Sequence, residues 1–302
     1  MNCLLSICDI KEDVSYIIDL ANKIKSGEVE DTPLEGKTLA MIFQKSSTRT
    51  RVSFDVGMYQ LGGRAIFLSS NDLQMGRGEP ISDTAKVLSR FVDGIMIRAI
   101  EHDDVIELAK YSDIPVISGL TNLEHPCQAL ADMLTIKEHF GDFKDKKLCF
   151  VGDGNNVCNS LLLITPLLGM DMSVACPKGY EPNKEILKIA EGYADENSTE
   201  ITVTDDINIA LNDVDIVYTD VWVSMGDEAQ KTQREMDLKP YQVNSELMSL
   251  ANEDAIFMHC LPAIRGQEVT SDVIDGPHSV VFDEAENRLH AQKAILYYYL
   301  KD

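Results

Sequence analysis

The chain contains few basic residues and no long apolar run. Of its 302 residues, 27 are lysine or arginine and 50 are acidic, which gives a formal net charge of −23. Nucleic-acid-binding surfaces need clustered positive charge, so this balance argues against a nucleic-acid partner. No stretch of about 18 consecutive apolar residues occurs, so we predict no membrane partner and no membrane-spanning helix. An anionic ligand would depend on the few arginines that the chain does carry.

The chain also lacks the cysteine spacing of a disulfide framework or a zinc site. Its seven cysteines form no Cys-x-x-Cys pair, and its first residues show neither a basic flank nor a small-residue cleavage site. These absences predict free thiols and a cytoplasmic location. His125 lies near Cys127, and His259 adjoins Cys260, but no further ligand completes a familiar tetrahedral set. We therefore predict no metal.

Short apolar runs alternate with helical patterns along the chain, which predicts an α/β fold. Nearly continuous apolar runs are typical of parallel strands that helices cover on both faces. The first set of predicted strands is Leu39–Phe43, Arg64–Ser69, Gly94–Ala99 and Pro115–Leu120. The second set is Lys147–Val151, Met172–Cys176, Ile201–Thr204, Val214–Thr219, Ala255–His259 and Ser279–Phe282.

These two sets predict two doubly wound parallel-sheet domains. The first domain is expected to cover residues 1–135 and the second residues 136–288, with a helix from Pro126 to Phe140 at the division. A helical pattern from Leu289 to Leu300 ends the chain. We expect this last helix to pack back on the first domain, which would then include residues 289–302.

Polar clusters follow the predicted strands at the points where open α/β sheets bind ligands. Ser46–Arg51 follows the first strand and combines hydroxyl groups and arginines with the start of a helix. Hydroxyl groups, first-turn N–H groups and the helix dipole all favour a phosphate there. The same run alone is also compatible with an ordinary helix cap followed by solvated arginines.

Other candidate residues have ordinary structural explanations too. His125 precedes Pro126, and proline is common at the first position of a helix. Cys260 ends an apolar strand, where a buried and inert thiol is usual. The segment Gly152–Gly154 begins like a dinucleotide fingerprint but lacks its third glycine. An NAD-dependent dehydrogenase is the alternative that rests on this segment, and we predict no cofactor.

Several motifs together resemble the aspartate/ornithine carbamoyltransferase family. They are Ser47–Arg51 with Ser53-Phe54, then His125–Gln128, then Asp220–Gly226 with His259–Pro262. The last pair, with its Ser-Met-Gly segment and its cysteine, is similar to the ornithine branch. The resemblance runs from about residue 10 to the end of the chain. It implies transfer of a carbamoyl group from carbamoyl phosphate to the δ-amine of L-ornithine, without a covalent intermediate or a cofactor.

The resemblance also implies a role for each matching position. The residues expected to bind carbamoyl phosphate are Ser47, Thr48, Arg49, Thr50, Gln74, Arg98, His125, Gln128, Cys260, Leu261 and Arg288. Those expected to bind ornithine are Asn156, Asp220, Ser224 and Met225. The expected catalytic residues are Arg98, His125, Cys260 and Asp220. The family also implies a homo-oligomer, a trimer or a multiple of trimers, in which Gln74 reaches a neighbouring subunit's site.

The sequence leaves the acceptor amine and the direction of flux open. A relative that acts on putrescine, lysine or an N-acylated ornithine would share the phosphate half of the site. A non-catalytic ligand-binding protein would share the fold. Arginine biosynthesis and arginine breakdown would use one and the same site in opposite directions.

Overall fold

The computed structural model describes residues 3–29, 32–69, 73–223 and 228–301. The chain divides into two compact units. The first comprises Met1–Leu134 and Glu286–Asp302, and the second comprises Thr135–Ala285. Among the described residues, no helix combines the length and the apolar character that crossing a membrane requires.

The first unit is built on a parallel sheet. Its strands are β1 (Thr38–Phe43), β2 (Arg64–Ser69), β3 (Gly94–Arg98) and β4 (Val116–Leu120). They lie in the order β2-β1-β3-β4, and every pair is parallel. The central strand β1 is buried along its whole length, as expected for a strand covered on both faces. Beside β4, Leu4 pairs with Ile117 and occupies that edge of the sheet.

The first helix of the first unit precedes β1, and the later helices of this unit each follow a strand. The helices are α1 (Val14–Lys25), α2 (Thr48–Gln60), α3 (Ile81–Leu88) and α4 (His102–Tyr111). Helix α5 (Pro126–Phe140) then leads the chain from the first unit into the second. Because parallel strands need crossover connections, these helices return the chain to the amino-terminal edge of the sheet after each strand.

The second unit repeats this architecture with a second parallel sheet. Its strands are β5 (Lys147–Val151), β6 (Asp171–Ala175), β7 (Ile201–Thr204), β8 (Ile216–Thr219) and β9 (Ile256–Met258). Their order is β7-β6-β5-β8-β9. The helices are α6 (Asn156–Leu167), α7 (Lys184–Asn197), α8 (Ile207–Leu211), α9 (Lys231–Leu238), α10 (Ser245–Met248) and α11 (Ser271–Ile274).

The predicted α/β fold with two parallel sheets is confirmed, but one predicted strand is wrong. Ser279 forms only an isolated bridge with Phe257, and helix α12 (Val281–Leu300) begins two residues later. A short apolar run such as this does not distinguish a strand from a helix start. The acidic residues Asp283 and Glu284 favour the helix, because they lie in its first turn near the positive end of the dipole. From Glu286 onward α12 groups with the first unit.

Candidate active site

The first turn of α2 forms a site suited to an anion. Ser47 caps the helix with an extended backbone, and its Oγ accepts a hydrogen bond from the Thr50 N–H at 3.2 Å. Thr48 and Arg49 occupy the intervening positions, where backbone N–H groups have no acceptor within the helix. These N–H groups and the positive end of the helix dipole favour a phosphate.

The hydroxyl of Thr50 connects two arginines that come from distant parts of the chain. Arg98, the last residue of β3, donates through Nη1 to Oγ1 of Thr50 at 3.4 Å. Arg288 on α12 donates through Nη2 to the same oxygen at 3.2 Å. A threonine hydroxyl has two acceptor positions and one proton, and the two guanidinium groups occupy both acceptor positions. The hydroxyl proton is therefore left to donate to a ligand.

Gln128 extends this network along α5. Its Oε1 accepts a hydrogen bond from Nη1 of Arg288 at 2.6 Å, and its Nε2 donates to Oδ1 of Asp132 at 2.7 Å. All three side chains are buried. Gln128 and Arg288 were predicted site residues, whereas Asp132 was not. The only signal for it in the sequence is its position four residues after Gln128, which places both side chains on one helix face.

The pKa of His125 is lowered by its burial and by the positive charges of this cluster. The residue is buried, and burial is the largest of the effects that lower its pKa well below the usual range for histidine. The positive charges of Arg288, Arg98 and Arg49 lower this pKa further. The imidazole is therefore neutral at neutral pH and carries one N–H. The field around it is positive, although the protein as a whole is strongly acidic.

In the second unit, Asp220 and Cys260 lie side by side at the ends of two strands. Asp220 follows β8, and its Oδ1 accepts from the Val221 N–H at 2.8 Å and from the Cys260 thiol at 3.2 Å. Its Oδ2 accepts from Nδ2 of Asn155 at 2.7 Å. The sequence placed Asn155 and Asn156 together at a strand end but assigned a binding role to Asn156 alone; Asn155 caps α6 and orients the carboxylate. Its position directly before a predicted helix was the available signal.

A buried histidine shapes the loop that follows Cys260. Nδ1 of His259 accepts from the Leu261 N–H at 2.9 Å, and its Nε2 lies 3.2 Å from Oε1 of Glu268. One ligand atom each from Asp220, His259 and Cys260 falls within 4.8 Å of the others, a spacing that a metal ion could bridge. Both ring nitrogens of His259 already hydrogen-bond, however, so binding a metal would break one of these contacts.

A further unpredicted residue, Arg234 on α9, connects two loops at the same edge of this sheet. Its Nε donates to the carbonyl oxygen of Trp222 at 2.7 Å, and its Nη2 forms an ion pair with Asp153. The guanidinium also lies 5.1 Å from the centre of the Tyr180 ring. Arg234 therefore holds the chain just before the Ser-Met-Gly segment against the loop after β5.

The remaining predicted site residues are placed as follows. Asn156 opens α6 and is partly buried, and Leu261 lies in the loop after Cys260. Gln74 is exposed at the start of a short 3₁₀ helix, and its side chain makes no hydrogen bond with the described residues. Ser224 and Met225 lie outside the described residues.

Comparison with known proteins explains why these two clusters occur in one chain. Residues 3–138 match the model of the aspartate/ornithine carbamoyltransferase carbamoyl-P binding domain, and residues 144–299 match that of the Asp/Orn binding domain. An ornithine carbamoyltransferase of Methanobrevibacter smithii is 75% identical over 100% of both chains. One of Methanothermobacter thermautotrophicus is 62% identical over 100% of both chains. The solved ornithine carbamoyltransferase of Pyrococcus furiosus has a TM-score of 0.95 at 52% identity and covers 99% of this chain and 97% of its own. The chain belongs to the aspartate/ornithine carbamoyltransferase family.

Proposed function

We propose that this protein transfers the carbamoyl group of carbamoyl phosphate to the δ-amine of L-ornithine, giving L-citrulline and phosphate. The observation that carries the proposal is a cluster beside the start of α2, in which the buried Thr50, Gln128 and Arg288 are joined by the partly buried Arg98. It combines an anion site with donors and an acceptor suited to a carbamoyl group. The full-length similarity to relatives named ornithine carbamoyltransferase supports ornithine as the acceptor.

We assign the phosphate of carbamoyl phosphate to the first turn of α2. Ser47, Thr48, Arg49 and Thr50 would bind it there, with Gln74 contributing from a neighbouring subunit. This assignment is supported by the capped helix start, because phosphate is stabilised at a helix N-terminus by unpaired N–H groups. Arginine adds planar donors that match phosphate oxygens.

The carbamoyl group would lie against the same cluster. Arg98, His125 and the Thr50 hydroxyl would donate to its oxygen, where negative charge develops during attack. Each such preorganised donor is typically worth about 3–4 kcal/mol of transition-state stabilisation. The oxygen of Gln128 would accept from the NH₂ group. Cys260, Leu261 and Arg288 are the other residues that we assign to this ligand.

The ornithine half is assigned to the second unit. Asp220 is an acceptor suited to an ammonium group, and Asn156 is a donor suited to a carboxylate. Ser224 and Met225 complete the proposed set. An alkyl amine has a pKa of about 10.4, so only about one molecule in 2,500 is neutral at pH 7. Cys260 and Asp220, in contact at 3.2 Å, would bind or deprotonate the attacking amine.

A citrulline assay on the purified protein tests the proposal. Carbamoyl phosphate is supplied with ornithine, and parallel reactions contain putrescine, lysine, N-acetylornithine or aspartate. Turnover confined to ornithine is the expected result. Turnover with another amine would retain the phosphate half and overturn the assignment of Asp220. A folded sample with no turnover on any acceptor would refute the function.

We further propose that the protein forms a trimer or a multiple of trimers and works in the cytoplasm in arginine biosynthesis. Self-association is supported by exposed apolar side chains on α2 and on the edge strand β2. They are Val52, Tyr59, Ile66 and Phe67, with Tyr59 80% exposed. The seven free cysteines support a reducing compartment. Light scattering should give three times the mass of the chain, or a multiple of it.

A further inference from the structure

The strongest unassigned feature of the first unit is the buried carboxylate of Asp132. It lies on α5 four residues after Gln128, and its side chain is completely buried. Its Oδ1 accepts a hydrogen bond from Nε2 of Gln128 at 2.7 Å. Burying a carboxylate is costly unless donors compensate it, so this contact is a strong constraint on both side chains.

The oxygen of the Gln128 amide is constrained too, because its neighbour can only donate a hydrogen bond. This Oε1 accepts from Nη1 of Arg288 at 2.6 Å. A guanidinium group can only donate hydrogen bonds, and an ionised carboxylate can only accept them. Rotating the amide by half a turn would place its NH₂ group against Arg288 and its oxygen against Asp132, and both hydrogen bonds would be lost. The two charged neighbours therefore determine which way the amide points.

We propose that Asp132 is a positioning residue that keeps the Gln128 oxygen facing the carbamoyl NH₂ group and thereby sets specificity for carbamoyl over acyl phosphates. The inference rests on the proposed function, in which Gln128 binds that NH₂ group. An amide oxygen has two lone pairs, so the oxygen that contacts Arg288 has the capacity to accept from an N–H donor as well. In the proposed function that donor is the carbamoyl NH₂ group. A methyl group in the same place cannot donate, so a site built in this way discriminates against an acyl analogue.

Two stable ligands test the contact between the Gln128 oxygen and the carbamoyl NH₂ group. Phosphonoacetamide and acetonylphosphonate share a phosphonate and a carbonyl group, and they differ in an NH₂ group against a methyl group. Calorimetry measures the affinity of the unmodified protein and of Asp132→Asn for both, with inorganic phosphate as a third ligand. The amide introduced by this substitution can donate as well as accept, so it no longer determines the orientation of Gln128. We expect the affinity for phosphonoacetamide to fall about five- to tenfold, about one hydrogen bond, with the other two affinities unchanged.

Two further variants separate positioning from a general structural effect. Asp93→Asn is the matched control, because Asp93 is a carboxylate of the same unit that accepts from the Thr38 N–H at 2.7 Å. Thr38 begins β1, whereas the cluster lies beyond the carboxyl end of that strand. This variant should leave the ratio of the two phosphonate affinities unchanged. In a Gln128→Ala background, Asp132→Asn should cost nothing further, because Asp132 acts through Gln128.

An equal loss of affinity for all three ligands in Asp132→Asn would overturn the inference, as would an unchanged affinity for phosphonoacetamide. If that variant does not fold, Asp132→Ser, which is smaller and uncharged, is measured in its place with the same expectations. If the unmodified protein does not prefer phosphonoacetamide, the role of Gln128 fails and the role of Asp132 fails with it. The citrulline assay reports on the proposed function separately, because it does not depend on this ratio.

Discussion

The lowered pKa of His125 can be tested by measuring how the stability of the protein changes with pH. This histidine is 4% exposed, and burial lowers its pKa well below the usual range, with Arg288, Arg98 and Arg49 lowering it further. Replacing it with asparagine keeps a polar side chain and removes the titrating group. The difference between the two proteins therefore isolates the proton that binds at this position.

The sign and size of the effect follow from proton linkage. In the unfolded chain this histidine binds a proton below a pH of about 6.5, whereas in the folded protein it stays neutral. Protons therefore favour the unfolded state as the pH falls, so this contribution to stability is complete above that pH and is lost below it. Between pH 7 and pH 5.5 the unfolded state gains about 1.3 kcal/mol from this one group, if the folded protein remains unprotonated.

Urea denaturation of both proteins at the two pH values measures the effect. The free energy of unfolding of His125→Asn should fall by about 1.3 kcal/mol less than that of the unmodified protein. His102 and His290 also have lowered pKa values, mainly because of burial, but they titrate in both proteins and cancel in the comparison. Equal losses in the two proteins would refute the depressed pKa.

Two substitutions test the second unit. Cys260→Ala should lower kcat and change its pH dependence, because the thiol contacts the Asp220 carboxylate at 3.2 Å; unchanged steady-state kinetics would remove Cys260 from the chemistry. Tyr218→Phe removes the hydroxyl that donates to the buried Glu284 at 3.0 Å and should lower the free energy of unfolding by about 1–3 kcal/mol. A change within the error of urea denaturation would show that Glu284 does not need this donor.

The residues of the candidate site were more predictable than their contacts. Residues at the carboxyl ends of parallel strands gather at one edge of a sheet, so the positions of Arg98 and Asp220 followed from the strand pattern. The hydrogen-bond partners of Asp132, Asn155 and Arg234 did not follow from that pattern. Hydrogen bonds between side chains depend on rotamers and on segments far apart in the chain, such as α5 and α12, and no local pattern encodes them.

The fold was predictable where the apolar pattern had one interpretation. The parallel strands of both units were found because their apolar runs lie between helical patterns. Helix α1 was not assigned, although Val14, Ile17, Ala21 and Ile24 form a buried stripe at helical spacing. The strand predicted at Ser279–Phe282 failed for the opposite reason, because so short a run fits both a strand and the start of a helix.

A positive site inside a protein of net charge −23 needs a local explanation. Arg98 and Arg288 donate hydrogen bonds to the uncharged oxygens of Thr50 and Gln128. Such acceptors satisfy guanidinium donors without cancelling their charge, whereas a carboxylate in the same place would cancel it. The carboxylate of Asp132 is separated from Arg288 in this network by the Gln128 amide. Burial is the largest cause of the lowered pKa of His125, and the charges of Arg288, Arg98 and Arg49 lower it further. These uncharged contacts therefore favour a positive potential beside the first turn of α2, where we propose that the phosphate binds, and exposed acidic groups act on it through solvent and salt.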